Sequence, residues 1–440
     1  MKHKYTIFLI AAIMSPNVYA GNSSQQHNTV VSCPWNGAGY LKLPGFDTCL
    51  KLGGHLQADA ISANLIGDQT NALTDTAAYI ESRLSFNTKT QIQNFKLATF
   101  TDLDVTWDQE TSHANLELSK GAVEFSGDHF SISGGMQNSL YTGFTGYSGL
   151  NLMGTPWSDN TTLQATVKFN AGPLTFGVSI EDIVYENLKI YDNPTINYPH
   201  LKTSGDYAFI GMSQFQNEFL DIKLSGGLIV NSNTELLVRD YDTSVIENFL
   251  KPSNTNYAVN LNTEFEPFDI FQIGFGGQLA TGAVGYTGFN MSNYKNPSFD
   301  FQSVNAVPTP NYPGYYFLEG ENPALQTALL NDAGALSYTM TGGFKVYLVE
   351  NVHLTFDASY QHFDVDHAGI VLNGTGIGAQ SALIWTPTTY LGVSLGAGYS
   401  SYTLEGSLAT SSPDMPTLPV NTTANNLHIG TRVKYVFDPS

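Results

Sequence analysis

The chain has 440 residues and a formal net charge of −20, and only 13% of its residues are charged, about half of the usual share of roughly 25%. The acidity and the lack of a basic stripe argue against nucleic acid as a partner, because nothing would neutralise the phosphates. Gly, Tyr and Phe are abundant, with 41, 24 and 26 residues. Polar and apolar residues alternate closely, which favours strands with one face in lipid and one in water.

Residues 1–20 are predicted to be a secretory signal peptide. Lys2 and Lys4 form a basic start, a short apolar run follows, and Val18 and Ala20 precede a cleavage site after Ala20. The apolar run is too short to span a bilayer as a helix. Since the first twenty residues contain two lysines and no acid, cleavage would change the net charge from −20 to −22.

The next segment, 21–48, is predicted to be an N-terminal periplasmic or plug segment ahead of a transmembrane barrel at 49–440. Two cysteines flank its second half, Cys33 and Cys49. An exported chain reaches an oxidising compartment, where a pair this close in sequence can form a disulfide. Two free thiols are the alternative. A zinc site would need two more ligands, and none stands at metal spacing nearby.

Period-two alternation of apolar and polar residues dominates the rest of the chain. In the first run Leu52 and Leu56 share one parity, and His55, Gln57 and Asp59 share the other. A strand collects such polar residues on one face, whereas a helix would spread them around its axis. Sixteen runs of this kind lie at 50–60, 78–87, 95–108, 115–125, 129–137, 161–170, 174–181, 206–214, 218–230, 256–265, 270–280, 337–348, 352–362, 379–386, 390–400 and 426–437. The fourth run changes parity at Lys120–Gly121, which predicts a bulge.

The gaps between these runs alternate between short and long. An up-and-down outer-membrane barrel has this pattern, with short periplasmic turns and long external loops. We therefore predict an all-β fold, a 16-stranded antiparallel transmembrane β-barrel. The gaps 281–336, 363–378 and 401–425 are interpreted as external loops. The gap 138–160 is rich in glycine and aromatic residues and is expected to fold compactly.

Metal and cofactor sites are not predicted. His362, Asp364, Asp366 and His367 lie at a predicted external loop and could bind a divalent ion, but no further ligand completes the set. An enzyme is not predicted either, since no nucleophile, base and orienting group stand together in a convincing motif.

Two segments resemble a known family. Residues 33–54 read CPWNGAGYLKLPGFDTCLKLGG, which resembles the N-terminal signature of the alphaproteobacterial porin family, and the FTGY stretch at 144–147 resembles its third external loop. The resemblance implies a homotrimer of 16-stranded general-diffusion pores whose third external loop folds into the barrel and narrows it. Carried over by position, 138–160 would be this constriction loop. Asp159 is the acid that it offers.

Charged residues on the polar parity are the candidates for pore-lining roles. Counting depth along the strands places several of them near the middle of the barrel. The candidates are His55, Glu81, Arg83, Asp102, Asp104, Asp159, Arg432 and Lys434. They either impart ion selectivity or pair with one another inside a polar lumen. Acids and bases on the inward parity are almost equal in number, so we expect a weak cation preference.

The sequence thus predicts an outer-membrane porin, a water-filled channel embedded in outer-membrane lipid for passive diffusion of small hydrophilic solutes and ions. Two alternatives share the fold. One is a substrate-specific channel for a sugar or an anion, and the other is an adhesin or receptor that acts through its long loops.

Overall fold

The computed structural model describes residues 32–33, 36–37, 39–43, 47–62, 76–108, 114–150, 161–182, 207–230, 237–239, 246–248, 256–282, 287, 336–367, 370–408 and 418–437. The predicted signal peptide, Asp159 and nearly all of 281–336 lie outside these residues. Within the described part, no helix is long and apolar enough to cross a membrane.

Sixteen antiparallel strands form one closed barrel in the described part of the chain. In chain order they are β1 Thr48–Ser62, β2 Thr76–Ile92, β3 Phe95–Asp108, β4 Ala114–Ser126, β5 Phe130–Asn138, β6 Thr161–Ala171, β7 Leu174–Asp182, β8 Tyr207–Gln216, β9 Leu220–Val230, β10 Asn256–Phe268, β11 Phe271–Thr281, β12 Leu336–Val349, β13 Val352–His367, β14 Ile370–Thr388, β15 Leu391–Leu408 and β16 Leu418–Phe437. Each strand pairs with the next one, and β16 pairs with β1. The predicted fold class and strand number are confirmed.

The two faces of the barrel differ as the alternation predicts. On β1, Leu52 and Leu56 are 56% and 47% exposed, whereas His55, Gln57 and Asp59 are buried. The same contrast recurs around the barrel, where Leu, Val, Ile and Phe side chains point outward. An apolar outer face suits lipid, so the polar parity faces the lumen.

Closure of the barrel brings its first and last strands together. Arg432 of β16 lies opposite Asp59 of β1, and Phe437 lies opposite Gly54. Gly54 has a φ of 144°, and a Cβ atom there would lie 2.0 Å from the carbonyl oxygen of Arg83. The close approach of β1 and β2 therefore requires glycine at this position.

The predicted bulge is confirmed on β4. Asp102 of β3 pairs with Lys120, but the adjacent Leu103 pairs with Leu118, so Ser119 is the extra residue. The bulge restores the alternation after the change of parity.

Two predicted loops are wrong. The gap 363–378 is almost entirely strand, because β13 continues to His367 and β14 begins at Ile370. Much of the gap 401–425 likewise belongs to β15 and β16. The exposed side of this extension of β13 carries Asp364 and Asp366 instead of apolar residues, so the alternation is lost while the backbone ladder continues.

The candidate ion site lies in one of these segments that are strand rather than loop. Asp364 and Asp366 lie on β13 as exposed strand residues. Among the residues described, no group of three or more His, Cys, Asp and Glu side chains could hold a metal ion.

Short strands lie outside the barrel sheet proper. Leu41–Lys42 pairs with Leu50 and Cys49 at the start of β1, and Leu237–Arg239 pairs with Ile246–Asn248. The predicted disulfide is confirmed, since Cys33 is bonded to Cys49.

Candidate functional site: two walls of the lumen

One lumen wall is formed by β16, β1, β2 and β3, and its side chains pair by charge. Arg83 lies opposite Asp104 in the strand register, and its Nε and Nη2 atoms donate to the two carboxylate oxygens, both at 2.7 Å. Arg83 Nη2 also lies 3.5 Å from Glu81 Oε1, which is 3.0 Å from His55 Nε2. This bidentate geometry is the strong form of a charged hydrogen bond.

Arg432 repeats this arrangement across the closing seam. Its Nε and Nη2 atoms donate to Asp59 at 2.7 and 2.8 Å. Asp59 also accepts a bond from Gln57 Nε2 at 2.9 Å. The third guanidinium nitrogen, Nη1, donates to the backbone carbonyl of Gly149. Arg432 therefore binds the barrel wall and the segment after β5 at the same time.

The structure brings together most of the predicted pore-lining residues. We call them, with Asp59 added, the charged wall: His55, Asp59, Glu81, Arg83, Asp104 and Arg432. Asp102 lies next to this group, opposite Ser85 and Lys120, and Lys434 lies opposite Gln57. Asp159 lies in a part of the chain that the structure does not describe.

The segment 139–150, which follows β5, contacts a different set of strands. Backbone N–H groups of Tyr147 and Ser148 donate to the two carboxylate oxygens of Asp357, at 2.8 and 2.9 Å. Gln380 Nε2 donates to Asp357 at 3.2 Å and also to the hydroxyl of Ser148. Asp357 is fully buried, and its neighbour Phe356 is exposed. The carboxylate therefore lies on the lumen-facing parity of β13.

The first residues of the segment are held by β7 and β10. Glu181 is fully buried and accepts bonds from Ser139 Oγ at 2.8 and 2.9 Å and from Leu140 N at 3.3 Å. Asn262 accepts from Phe144 N at 2.8 Å and donates to the carbonyl of Thr142 at 2.9 Å. Amide and carboxylate side chains here satisfy backbone groups that no strand partner reaches.

An apolar cluster lies beneath the same residues. Leu140 and Tyr141 are 5% and 1% exposed and pack on side chains from four consecutive strands, β8 to β11. These side chains are Ala208, Ile210, Met212, Ile229, Ala258 and Ala280. We call the lumen-facing residues that contact the segment the anchoring wall: these six together with Glu181, Asn260, Asn262, Asp357 and Gln380.

None of the anchoring-wall residues is among the sequence candidates. The alternation of polar and apolar residues predicts Glu181 and Asp357 as inward-facing acids and places Asn262 on the same lumen-facing parity. The sequence alone does not predict their contact with 139–150, since Tyr147 and Asp357 are 210 positions apart.

A closed antiparallel barrel with an apolar outer face and a charged lumen defines a membrane channel of the porin class. The chain belongs to the Porin subfamily, whose family model matches residues 25–382. It is thus an outer-membrane porin, a passive diffusion channel for small hydrophilic solutes. Porins as a family are channel proteins.

Solved structures share the fold at low sequence identity. The outer-membrane channel DcaP of Acinetobacter baumannii has 13% identity and a TM-score of 0.57, with 90% of this chain and 100% of that chain covered. Outer-membrane expressed OmpT of Vibrio cholerae has 12% identity and a TM-score of 0.51, with 90% and 99% covered. A search of curated protein sequences finds no match.

Proposed function

We propose that the protein is a general-diffusion porin of the alphaproteobacterial type, in which the loop 138–160 lies inside the barrel and narrows its lumen. The observation that carries this proposal is the attachment of 139–150 to both walls. Asp357 accepts two of its backbone N–H groups, and Arg432 donates to its carbonyl at Gly149. A segment held between lumen-facing residues of β13 and β16 restricts the passage of solutes.

The pairing of charges on the charged wall favours general diffusion over tight recognition of one solute. The guanidinium groups of Arg83 and Arg432 already form bidentate bonds with Asp104 and Asp59. Donors engaged with wall carboxylates in this way are not left over to bind one solute tightly. We propose His55, Glu81, Arg83, Asp102, Asp104, Arg432 and Lys434, with Asp159, as pore-lining residues.

A substrate-specific channel for a sugar or an anion is the second candidate. It is favoured by a small pocket beside Phe144, lined also by Asp221, Lys223 and Glu264. An aromatic ring beside polar groups can orient one solute in a channel.

Conductance measurements with purified protein in planar bilayers separate these candidates. General diffusion predicts a single-channel conductance that rises in proportion to salt, and sugar entry into proteoliposomes that falls smoothly with solute size. A specific channel would be blocked by its own solute at low concentration. An adhesin or receptor barrel would give no conductance.

A homotrimer in outer-membrane lipid is part of the proposal. The family resemblance supports it, as does a trimer form of in-vitro folded OmpT of Vibrio cholerae, at 11% identity and a TM-score of 0.50. We expect a single SDS gel band at the trimer position before heating and a monomer band after boiling. The barrel itself should resist cold SDS, because every strand of a closed barrel is hydrogen-bonded on both sides. Complete unfolding in cold SDS would contradict a closed barrel, and a monomer band alone would contradict the trimer.

Export through a cleaved signal peptide completes the proposal. The basic start and the apolar run of residues 1–20 support it. N-terminal sequencing of the protein from outer membranes is expected to begin at Gly21, and a mature chain that still starts at Met1 would contradict cleavage.

A further inference from the structure

Cys33 and Tyr40 of the N-terminal segment lie on the lumen side of β1. Cys49 shares the lumen-facing parity of His55 and Asp59, and its bond to Cys33 draws the segment to that side. Both cysteines are buried, at 1% and 0% exposure. The backbone N–H of Cys33 donates to the carbonyl of Tyr40 at 2.9 Å, which closes the segment on itself.

Tyr40 covers two lysines with its ring. The ring centroid lies 4.6 Å from Lys89 Nζ and 5.9 Å from Lys51 Nζ, within the range of cation–π contacts. Lys89 also donates to the carbonyl of Asn36 at 3.2 Å. Tyr40 and Lys51 are 7% and 8% exposed. The ring and the carbonyl thus occupy positions from which a permeating anion could contact Lys51, which is buried, and Lys89, which is half-buried.

These lysines lie at one mouth of the channel. Lys89 pairs with Cys49 in the register of β1 and β2, close to the start of β1 and to the two-residue turn between β2 and β3. Short turns lie on the periplasmic side of outer-membrane barrels. Charges at a mouth set the local concentration of entering ions, so two exposed ammonium groups would enrich anions there.

We propose that Tyr40 is a selectivity-determining residue of this channel, which shields Lys51 and Lys89 from permeating ions at the periplasmic mouth and is held in place by the Cys33–Cys49 disulfide. This inference rests on the diffusion function proposed above. Since acids and bases on the lumen face are almost balanced, concealing two bases tilts the channel toward cations.

The test is the zero-current potential of the purified trimer across a KCl gradient. Tyr40→Leu is expected to shift this potential toward chloride, because leucine lacks the ring face that covers the ammonium groups. Tyr40→Phe keeps the ring and should leave the potential unchanged. In a Lys51→Met/Lys89→Met background, Tyr40→Leu should have no effect.

A second variant tests whether the disulfide holds Tyr40 in place. Cys33→Ser/Cys49→Ser is expected to reproduce the shift of Tyr40→Leu, and SDS gels before and after heating verify assembly. An unchanged potential in an assembled Tyr40→Leu channel would overturn the proposal. If the unmodified protein gave no conductance at all, the proposed diffusion function would be overturned instead.

Lysine acylation provides a measurement that needs no variant. A water-soluble acylating reagent added to the unmodified protein should label Lys42, whose side chain is 39% exposed, well before Lys51 and Lys89. Reduction of the disulfide should then speed the labelling of both. Equal labelling of all three lysines in the oxidised protein would contradict the shielding.

Discussion

The charged wall and the anchoring wall face the same lumen, but their polar groups are satisfied in different ways. On the charged wall, Arg83 and Arg432 bind carboxylates of neighbouring strands, Asp104 and Asp59. On the anchoring wall, the carboxylate of Asp357 binds backbone N–H groups of 139–150. The charge pairs form within the charged wall, although Arg432 also donates to Gly149 of the segment. The carboxylate of Asp357 receives its two N–H donors only when the segment lies against the anchoring wall.

This difference separates two tasks of a channel. Paired charges on a strand face leave the wall open to solutes and set the electric field that ions experience. Buried carboxylates and an apolar cluster hold the segment where it lies, since leaving them uncovered would expose unpaired N–H groups and apolar surface. We therefore propose that the charged wall chiefly sets ion selectivity and that the anchoring wall chiefly sets pore size.

The comparison of the two walls requires that both face the lumen and that the opposite parity faces lipid. The largest loss of assembly is therefore expected from arginine on the lipid face. Leu56→Arg, Leu84→Arg and Val433→Arg should each cost about 2–4 kcal/mol at mid-depth and prevent assembly. Ser85→Asn and Lys434→Gln on the lumen face are the matched controls and should assemble. The folded fraction is measured from heat-dependent SDS gel migration, and equal assembly of both sets would contradict the assignment of faces.

Removing an anchor should enlarge the pore. Asp357→Ala deprives two backbone N–H groups of their acceptor, which costs about 1–3 kcal/mol for each unpaired group. The segment should then leave the wall, with a higher single-channel conductance and a larger size limit for sugars. Thr355→Val on the same strand is the control, since Thr355 donates only to the carbonyl of Ala382 in the described structure. Wild-type conductance in Asp357→Ala would assign the constriction to another part of the chain.

Arg83 and Arg432 allow the two roles to be tested separately, because Arg432 donates to Gly149 of 139–150 and Arg83 does not. Arg83→Ser and Arg432→Ser each release a wall carboxylate, which should raise the cation preference by at most about fivefold, since a charge at 4 Å in water is worth about 1 kcal/mol. Arg432→Ser should also increase conductance, because Arg432 binds Gly149. Zero-current potentials and single-channel currents measure the two effects. Equal conductance in the two variants would show that Arg432 does not hold the segment.

The smallest effect concerns the unmodified channel. We predict a weak cation preference that grows as salt is lowered, because the Debye length rises from about 8 Å at physiological ionic strength to about 30 Å at 0.01 M. At low salt, the excess negative charge outside the lumen then reaches further into the pore. The zero-current potential at two mean salt concentrations measures this preference. A clear anion preference at both would identify the arginines of the charged wall as the filter.

The sequence predicts most of the barrel because lipid imposes an apolar parity on every membrane-spanning strand. Where the alternation ends, the prediction ends as well, and residues 363–378, predicted as a loop, belong almost entirely to β13 and β14. Charge made Arg83 and Arg432 visible in a chain in which only 13% of residues are charged. Asn262 is uncharged, and the contacts of Asn262 and Asp357 with 139–150 carry no signal in the sequence, since their partners lie more than a hundred positions away and become neighbours only in the closed barrel.

The seam between β16 and β1 also determines the order in which the protein can be made. The bond between Arg432 and Asp59 joins residues 373 positions apart, so the second edge of β1 stays uncovered over residues 54–62 until almost the whole chain is present. Until then the first strand and the growing end of the sheet expose unpaired backbone groups that can capture other chains. Pairings of such long range also form slowly. A chain truncated before β16 should therefore remain an open sheet that is prone to aggregation. The complete chain must be protected from association with other copies until β16 has paired with β1.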